Sequence, residues 1–156
     1  MKSKFLVVCM ILGLLATANS GYSKHPNASG YVAVISDYID SYTNSDFKKL
    51  NKILSDDACV KIPRAEKVII QNKASLVAQM KADATIQNCT SKYEVIAKSD
   101  AIVLARVDFE YENFKQQNFI ILEKNEDKEW KITQVCKIFQ SKNKPADPSE
   151  SLTASN

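Results

Sequence analysis

The sequence predicts an α+β domain in which a curved sheet folds over a long first helix. Three observations lead there. Tyr31, Val34, Ile35, Tyr38, Ile39 and Tyr42 recur at i, i+3, i+4, i+7, i+8 and i+11, the stripe of one amphipathic helix. From Cys89 onward the chain reads instead as successive β-type segments parted by polar turns. The 156 residues, 45% hydrophobic and 25% charged, have the size and composition of one folded domain. Helices gathered first and a meander of long strands last make the arrangement α+β rather than α/β.

The first helix carries the stripe just described. Asn44 or Ser45 caps a second, in which Phe47, Leu50, Ile53 and Leu54 share a face, and the short break between the two makes a compact corner. The period then changes. Ala58–Ile62 and Lys67–Ile70 are short β-branched runs parted by Pro63-Arg64-Ala65-Glu66, which is a strand, a turn and a strand. Asn72 caps a third helix with Leu76, Val77, Met80 and Ala84 on one side. Four strands follow at about 89–98, 101–112, 116–124 and 129–139. In their turns, Lys98-Ser99-Asp100 and Asn125-Glu126-Asp127-Lys128, Asn and Asp are expected at left-handed positions. Val107, Phe109 and Tyr111 alternate with Asp108, Glu110 and Glu112, predicting one buried face and one exposed charged face that also holds Arg106.

Several chemistries are excluded outright. All three glycines, Gly13, Gly21 and Gly30, fall in the first thirty residues. A phosphate-binding loop, a dinucleotide-binding turn, a nucleophile elbow and an EF-hand loop each need glycine, so none is present beyond that point. The one histidine, His25, lies near the N-terminus, outside the folded part. Lys48, Lys49 and Lys52 are interleaved with polar and acidic residues as on a solvated helix face, so no nucleic-acid partner is expected.

The N-terminus reads as an address. Lys2 and Lys4 precede an apolar run from Phe5 to Ala16, and Ala16-Thr17-Ala18 supplies small residues at a cleavage site, so residues 1–18 are expected to be a signal peptide. That run is short of the ~20 residues a membrane span needs, and a secreted or periplasmic chain without membrane attachment after cleavage is expected. Residues 19–30 form a polar leader, 31–139 the folded domain and 140–156 a disordered, proline-containing tail. Cys59, Cys89 and Cys136 remain after cleavage, an odd number that allows at most one internal bridge and leaves a thiol buried, free or intermolecular. Their spacing supports no metal site, and no cofactor is expected.

The element order α-α-β-β-α-β-β-β-β joins with short motifs: Tyr38-Ile39-Asp40, Asp46-Phe47, Leu54-Ser55-Asp56-Asp57-Ala58-Cys59-Val60 and Trp130-Lys131-Ile132. In that order they resemble the nuclear transport factor 2-like superfamily, in its ketosteroid isomerase-like form, over about residues 31–139. The resemblance implies a cone: a curved, mixed, mainly antiparallel six-stranded sheet wrapped around the long N-terminal helix, with a pocket at the wide end. It also implies that the first and last strands lie side by side, which would bring Cys59 and Cys136 together as the first disulfide to test.

The superfamily contains isomerases, dehydratases and cyclases as well as binding and dimerisation modules, so fold alone does not fix function. Where the isomerases carry an aspartate base this chain has Ile62, which cannot take a proton, and Tyr38 stands where they place an oxyanion donor. The leading expectation is therefore a binding or accessory domain without evident catalytic machinery. Tyr38, Tyr42, Tyr93, Phe109, Tyr111, Phe119, Trp130 and Gln134 are its candidate pocket residues, Arg64 and Glu66 its rim, and a small apolar or aromatic molecule its ligand. Two alternatives stay open. One is an enzyme using Tyr38 with Asp108 or Glu66; the other is a homodimerising module, suggested by strand 116–124, where Phe119 and Ile121 oppose Ile120 and Leu122 and both faces are apolar.

Overall fold

The protein is represented by a computed structural model that describes residues 30–142; the expected signal peptide, and all of the expected leader and tail but residues 30 and 140–142, lie outside them. The first helix, α1 (Gly30–Asn44), buries Ile35, Tyr38 and Ile39, with Tyr31, Val34 and Tyr42 packed at the edges of the same stripe. Gly30 opens it because the ring of Trp130 lies against the backbone there: a Cβ would sit 2.9 Å from Trp130 Cδ1. Ser45 turns the chain into α2 (Phe47–Ile53), whose N-cap is Asp46, accepting the Lys49 backbone N–H at 3.0 Å. The helix ends one residue earlier than its apolar face suggests, because Leu54 pairs with Ile132 in the sheet and begins β1 (Leu54–Arg64).

The Ala65-Glu66 turn leads into β2 (Lys67–Asn72). Asn72 then caps α3 (Lys73–Asp83) by accepting the Ser75 N–H at 2.9 Å. Four strands complete the chain: β3 (Thr90–Lys98), β4 (Ile102–Glu110), β5 (Phe114–Lys124) and β6 (Trp130–Ser141). Gln140 and Ser141 are thus strand rather than tail, paired with Lys115 and Phe114. Among the described residues, no helix is long and apolar enough to cross a membrane.

The sheet runs β2-β1-β6-β5-β4-β3, with every neighbouring pair antiparallel except β1 and β6, which are parallel. Register separates its two faces. Val60, Val135, Ile120 and Ala105 form one cross-strand row on the inner face, buried against α1. Ile70, Lys61, Cys136, Phe119, Arg106 and Glu94 form a row on the outer face.

Two expectations are corrected. Asp108 does lie on the outer face, but it is 1% exposed rather than solvated. Lys115 and Arg106 close over it with ion pairs of 3.1 and 3.4 Å, and Gln117 donates to it at 3.1 Å. The left-handed positions belong to Ser45, Ala65, Ala84 and Lys128, not to Asn or Asp. In the β5–β6 turn Asn125 uses its side chain as an acceptor, taking the Glu129 N–H at 2.8 Å, while Lys128 takes the left-handed backbone.

Candidate functional site

At the wide end the sheet outruns α1, and α3 crosses the opening instead. A cavity of about 220 Å3 lies there, between the last turn of α1, α3, the end of β1 and the second half of β6. Its walls are partly apolar: Ile62 from β1, Leu76 and Met80 from α3, Tyr42 from α1 and Phe139 from β6. Of the α3 face that reads as core from the sequence, Leu76 and Met80 line this cavity, joined by Gln79 and Asp83. The segment after α3 is tied to the α1–α2 corner, because Gln87 N–H donates to the Thr43 carbonyl at 2.9 Å and the Ser45 hydroxyl donates to the Thr85 carbonyl.

The polar groups of the wall are unevenly committed. Gln71 donates to Gln79 at 2.9 Å across the β2–α3 corner, and Gln87 accepts from the Tyr111 hydroxyl at 3.1 Å. Two cations have no ion pair among the described residues. Arg64, at the end of β1, lies 5.8 Å from the centre of the Phe139 ring. Lys137, only 8% exposed, holds its ammonium 4.6 Å from the centre of the Tyr42 ring. The lining contains one carboxylate, Asp83, exposed at the lip.

Behind the cavity a hydrogen-bonded polar chain enters the core. Gln116 donates to Asn118 at 3.0 Å and Asn118 donates to the Tyr38 hydroxyl at 2.9 Å. Tyr38 is fully buried, and burial, reinforced by the adjoining Tyr42, pushes its phenol well above the ordinary range. The Tyr42 hydroxyl is itself buried without a hydrogen-bond partner. Beside this chain, burial and the neighbouring Cys89 thiol push Tyr111 up to about 12, and burial raises Cys89 as well.

The expected pocket residues separate. Tyr42 and Arg64 line the cavity, and Tyr111 reaches it through Gln87. Tyr38 and Phe109 belong to the sealed core behind it. Tyr93 shares the inner face with its partner Val107 but sits on the edge strand, 43% exposed. Phe119 and Gln134 are on the outer face, where Gln134 accepts from Lys61 at 3.3 Å. Trp130 is at the opposite end of the cone, edge-on to Tyr31 with ring centres 5.8 Å apart. A depression of about 330 Å3 there is lined by these two rings with Lys98, Ser99, Asp100 and Lys124, and holds no buried polar side chain. Glu66 stays in its turn, outside the cavity wall.

The strands bearing Cys59 and Cys136 are adjacent, but Cys59 faces Gln134 and Cys136 faces Lys61, and Cys59, Cys89 and Cys136 are free thiols. Among the described residues, no group of three or more histidine, cysteine or acidic side chains gathers to hold a metal ion.

The pairing of Tyr38 with Asp108 as acid and base fails on geometry. The two lie on opposite faces of the sheet, one packed inside and one outside. Burial draws the Asp108 carboxyl upward, but hydrogen bonds from Gln117 and Lys115 and the nearby Arg106 outweigh it and hold the group below the ordinary carboxylate range. Sequence reasoning missed Lys137, Asp83 and the three glutamines. For Lys137 a signal existed: it falls between Val135 and Phe139, two residues from each, on the inward side of a strand.

Residues 27–140 match the model of a protein family described as "Putative lumazine-binding". No curated protein matches the chain. Among solved structures, an NTF2-like protein of unknown function from Silicibacter pomeroyi is similar at TM-score 0.62 and 13% identity, over 71% of this chain and 93% of that one. One from Shewanella baltica is similar at TM-score 0.61 and 16% identity, over 71% and 91%. One from Methylobacillus flagellatus is similar at TM-score 0.60 and 20% identity, over 72% and 89%.

Proposed function

The chain belongs to the family described as "Putative lumazine-binding", within the NTF2-like superfamily, and on that premise we propose that its cone mouth binds a small, flat, largely apolar molecule and performs no reaction on it. The observation that carries this reading is the composition of the cavity: rings and aliphatic side chains on its walls, with a few polar groups converging on it. Its volume of about 220 Å3 corresponds to about seven waters, the space of a one- or two-ring molecule. Ile62, at the position where the isomerases keep their base, contributes an apolar wall instead. Lumazine itself, a flat heterocycle with hydrogen-bonding edges, is the first compound to try.

The test has two parts. Native mass spectrometry of protein purified from its own source should reveal a co-purifying small molecule, and titration with lumazine should show saturable binding at one site per chain. Absence of both would overturn the proposal. Export belongs to it as well: residues 1–18 support a cleaved signal, and the N-terminus of the mature protein should begin at Asn19.

A second reading, pairing of two copies, is supported by the outer face. Ile70 is 66% exposed and Ile138 37% exposed there, on the same face as Phe119. Sedimentation at micromolar concentration should show a dimer; a sharp monomer would overturn this reading.

A further inference from the structure

We infer that the molecule bound at the cone mouth is an anion, an aromatic or similarly flat carboxylate whose charged group seats on Lys137; this rests on the reading of the mouth as a binding site. Lysine is almost never buried unless paired, because its ammonium loses water that only an opposite charge or good acceptors replace. Lys137 is 8% exposed, lines the cavity and forms no ion pair among the described residues. Its described contact is the face of Tyr42, at 4.6 Å, which compensates only part of that loss.

The remaining groups point the same way. Two of the side-chain acceptors in the wall are already taken: Gln79 by Gln71 and Gln87 by Tyr111. The donors are in surplus. Arg64 stands over Phe139 at the lip without an ion pair, and Lys137 packs on the face of Tyr42 without one. Asp83 is the opposing charge in the lining, but it is exposed at the lip and pairs with neither cation. Two cations against one carboxylate leave the cavity positive. A carboxylate on Lys137 supplies the missing acceptor and charge, and the flat body attached to it then lies among Tyr42, Ile62, Met80 and Phe139.

The test compares 2-naphthoate with 2-naphthamide, which share a shape and differ in charge. Isothermal calorimetry on the wild-type mature protein should give a preference for the acid of about tenfold or more. In K137M the preference should fall below about twofold, with amide affinity little changed, and in K137R it should survive. Backbone NMR shifts on adding naphthoate should cluster around Tyr42, Ile62, Met80 and Phe139. Equal binding of acid and amide at the mouth would overturn the anion inference while leaving the binding site standing. A preference undiminished in K137M, or shifts confined to the outer sheet face, would also overturn it. Binding of neither compound, together with no binding of lumazine, would overturn both. The wild-type comparison decides even where K137M fails to fold.

Discussion

The side-chain amide of Asn118 donates to the Tyr38 hydroxyl at 2.9 Å, a fully buried bond that fastens the first helix to β5 across 80 positions of the chain. Neither group has access to water, so each depends on the other. Tyr38→Phe preserves the ring and removes only the hydroxyl, leaving the Asn118 N–H without its acceptor in the core. We expect a loss of about 1–3 kcal/mol in urea denaturation, with an unchanged slope. A loss under 0.5 kcal/mol would show that Asn118 re-pairs elsewhere.

Alkaline pH should attack the same place. Tyr38 in the folded protein titrates above its unfolded value of about 10, so the protonated phenol is the one that the fold favours. Its contribution is complete below pH ~10 and is lost as pH rises beyond it, and Tyr111, raised to about 12, adds to the effect. The midpoint of urea denaturation should therefore fall between about pH 10 and 12, less steeply in Tyr38→Phe. Parallel pH profiles for wild type and variant would contradict this.

Asp108 predicts the opposite dependence. Its folded carboxyl titrates below the unfolded value of about 3.9, so its stabilisation is present above that pH and is lost as pH falls through the lowered folded value. Asp108→Asn keeps the shape but leaves Arg106 and Lys115 without their central anion. The variant should be about 3 kcal/mol less stable at pH 7, and the gap to wild type should narrow as pH falls below about 4. A gap unchanged at pH 3 would assign the loss to packing.

Ala84 ends α3 at φ 41 and ψ 31, left-handed values that an alanine Cβ opposes. The residue is exposed, so replacing it removes no packing. Ala84→Gly should stabilise the protein by about 0.5–1 kcal/mol, read as a higher melting temperature. A lower one would mean that glycine's freedom in the unfolded chain outweighs the relief.

The architecture was legible where a periodicity repeats. The stripe from Tyr31 to Tyr42 and the alternation through Val107 and Phe109 each place several residues, so single errors do not move the element. Asp108 was misplaced because alternation reports which face a side chain takes and not what its neighbours cover; Lys115 and Gln117, the groups that bury it, come from the next strand. The mouth was legible at Tyr42, on the repeating helix stripe, and at Arg64, in a recognisable turn. Asp83, Gln79 and Met80 join the cavity through the angle at which α3 crosses the sheet, a tertiary property that no local pattern records. Phe119 and Trp130 were drawn into the pocket by chemical type alone, and register sends one outside and the other to the far end.

The sheet order has a consequence for how the chain is made. The final strand, β6, is a central one, with β1 and β2 on one side of it and β5, β4 and β3 on the other. A chain emerging from a ribosome or a translocation channel can assemble the β3–β4–β5 meander early. The β1–β2 hairpin has no sheet to join until residues 130–141 arrive, because β1 pairs with β6 across more than half the described chain. Until β6 has emerged the inner face of β1 stays open to chaperones and proteases, and loss of the last dozen residues of the domain would divide the sheet rather than trim its edge.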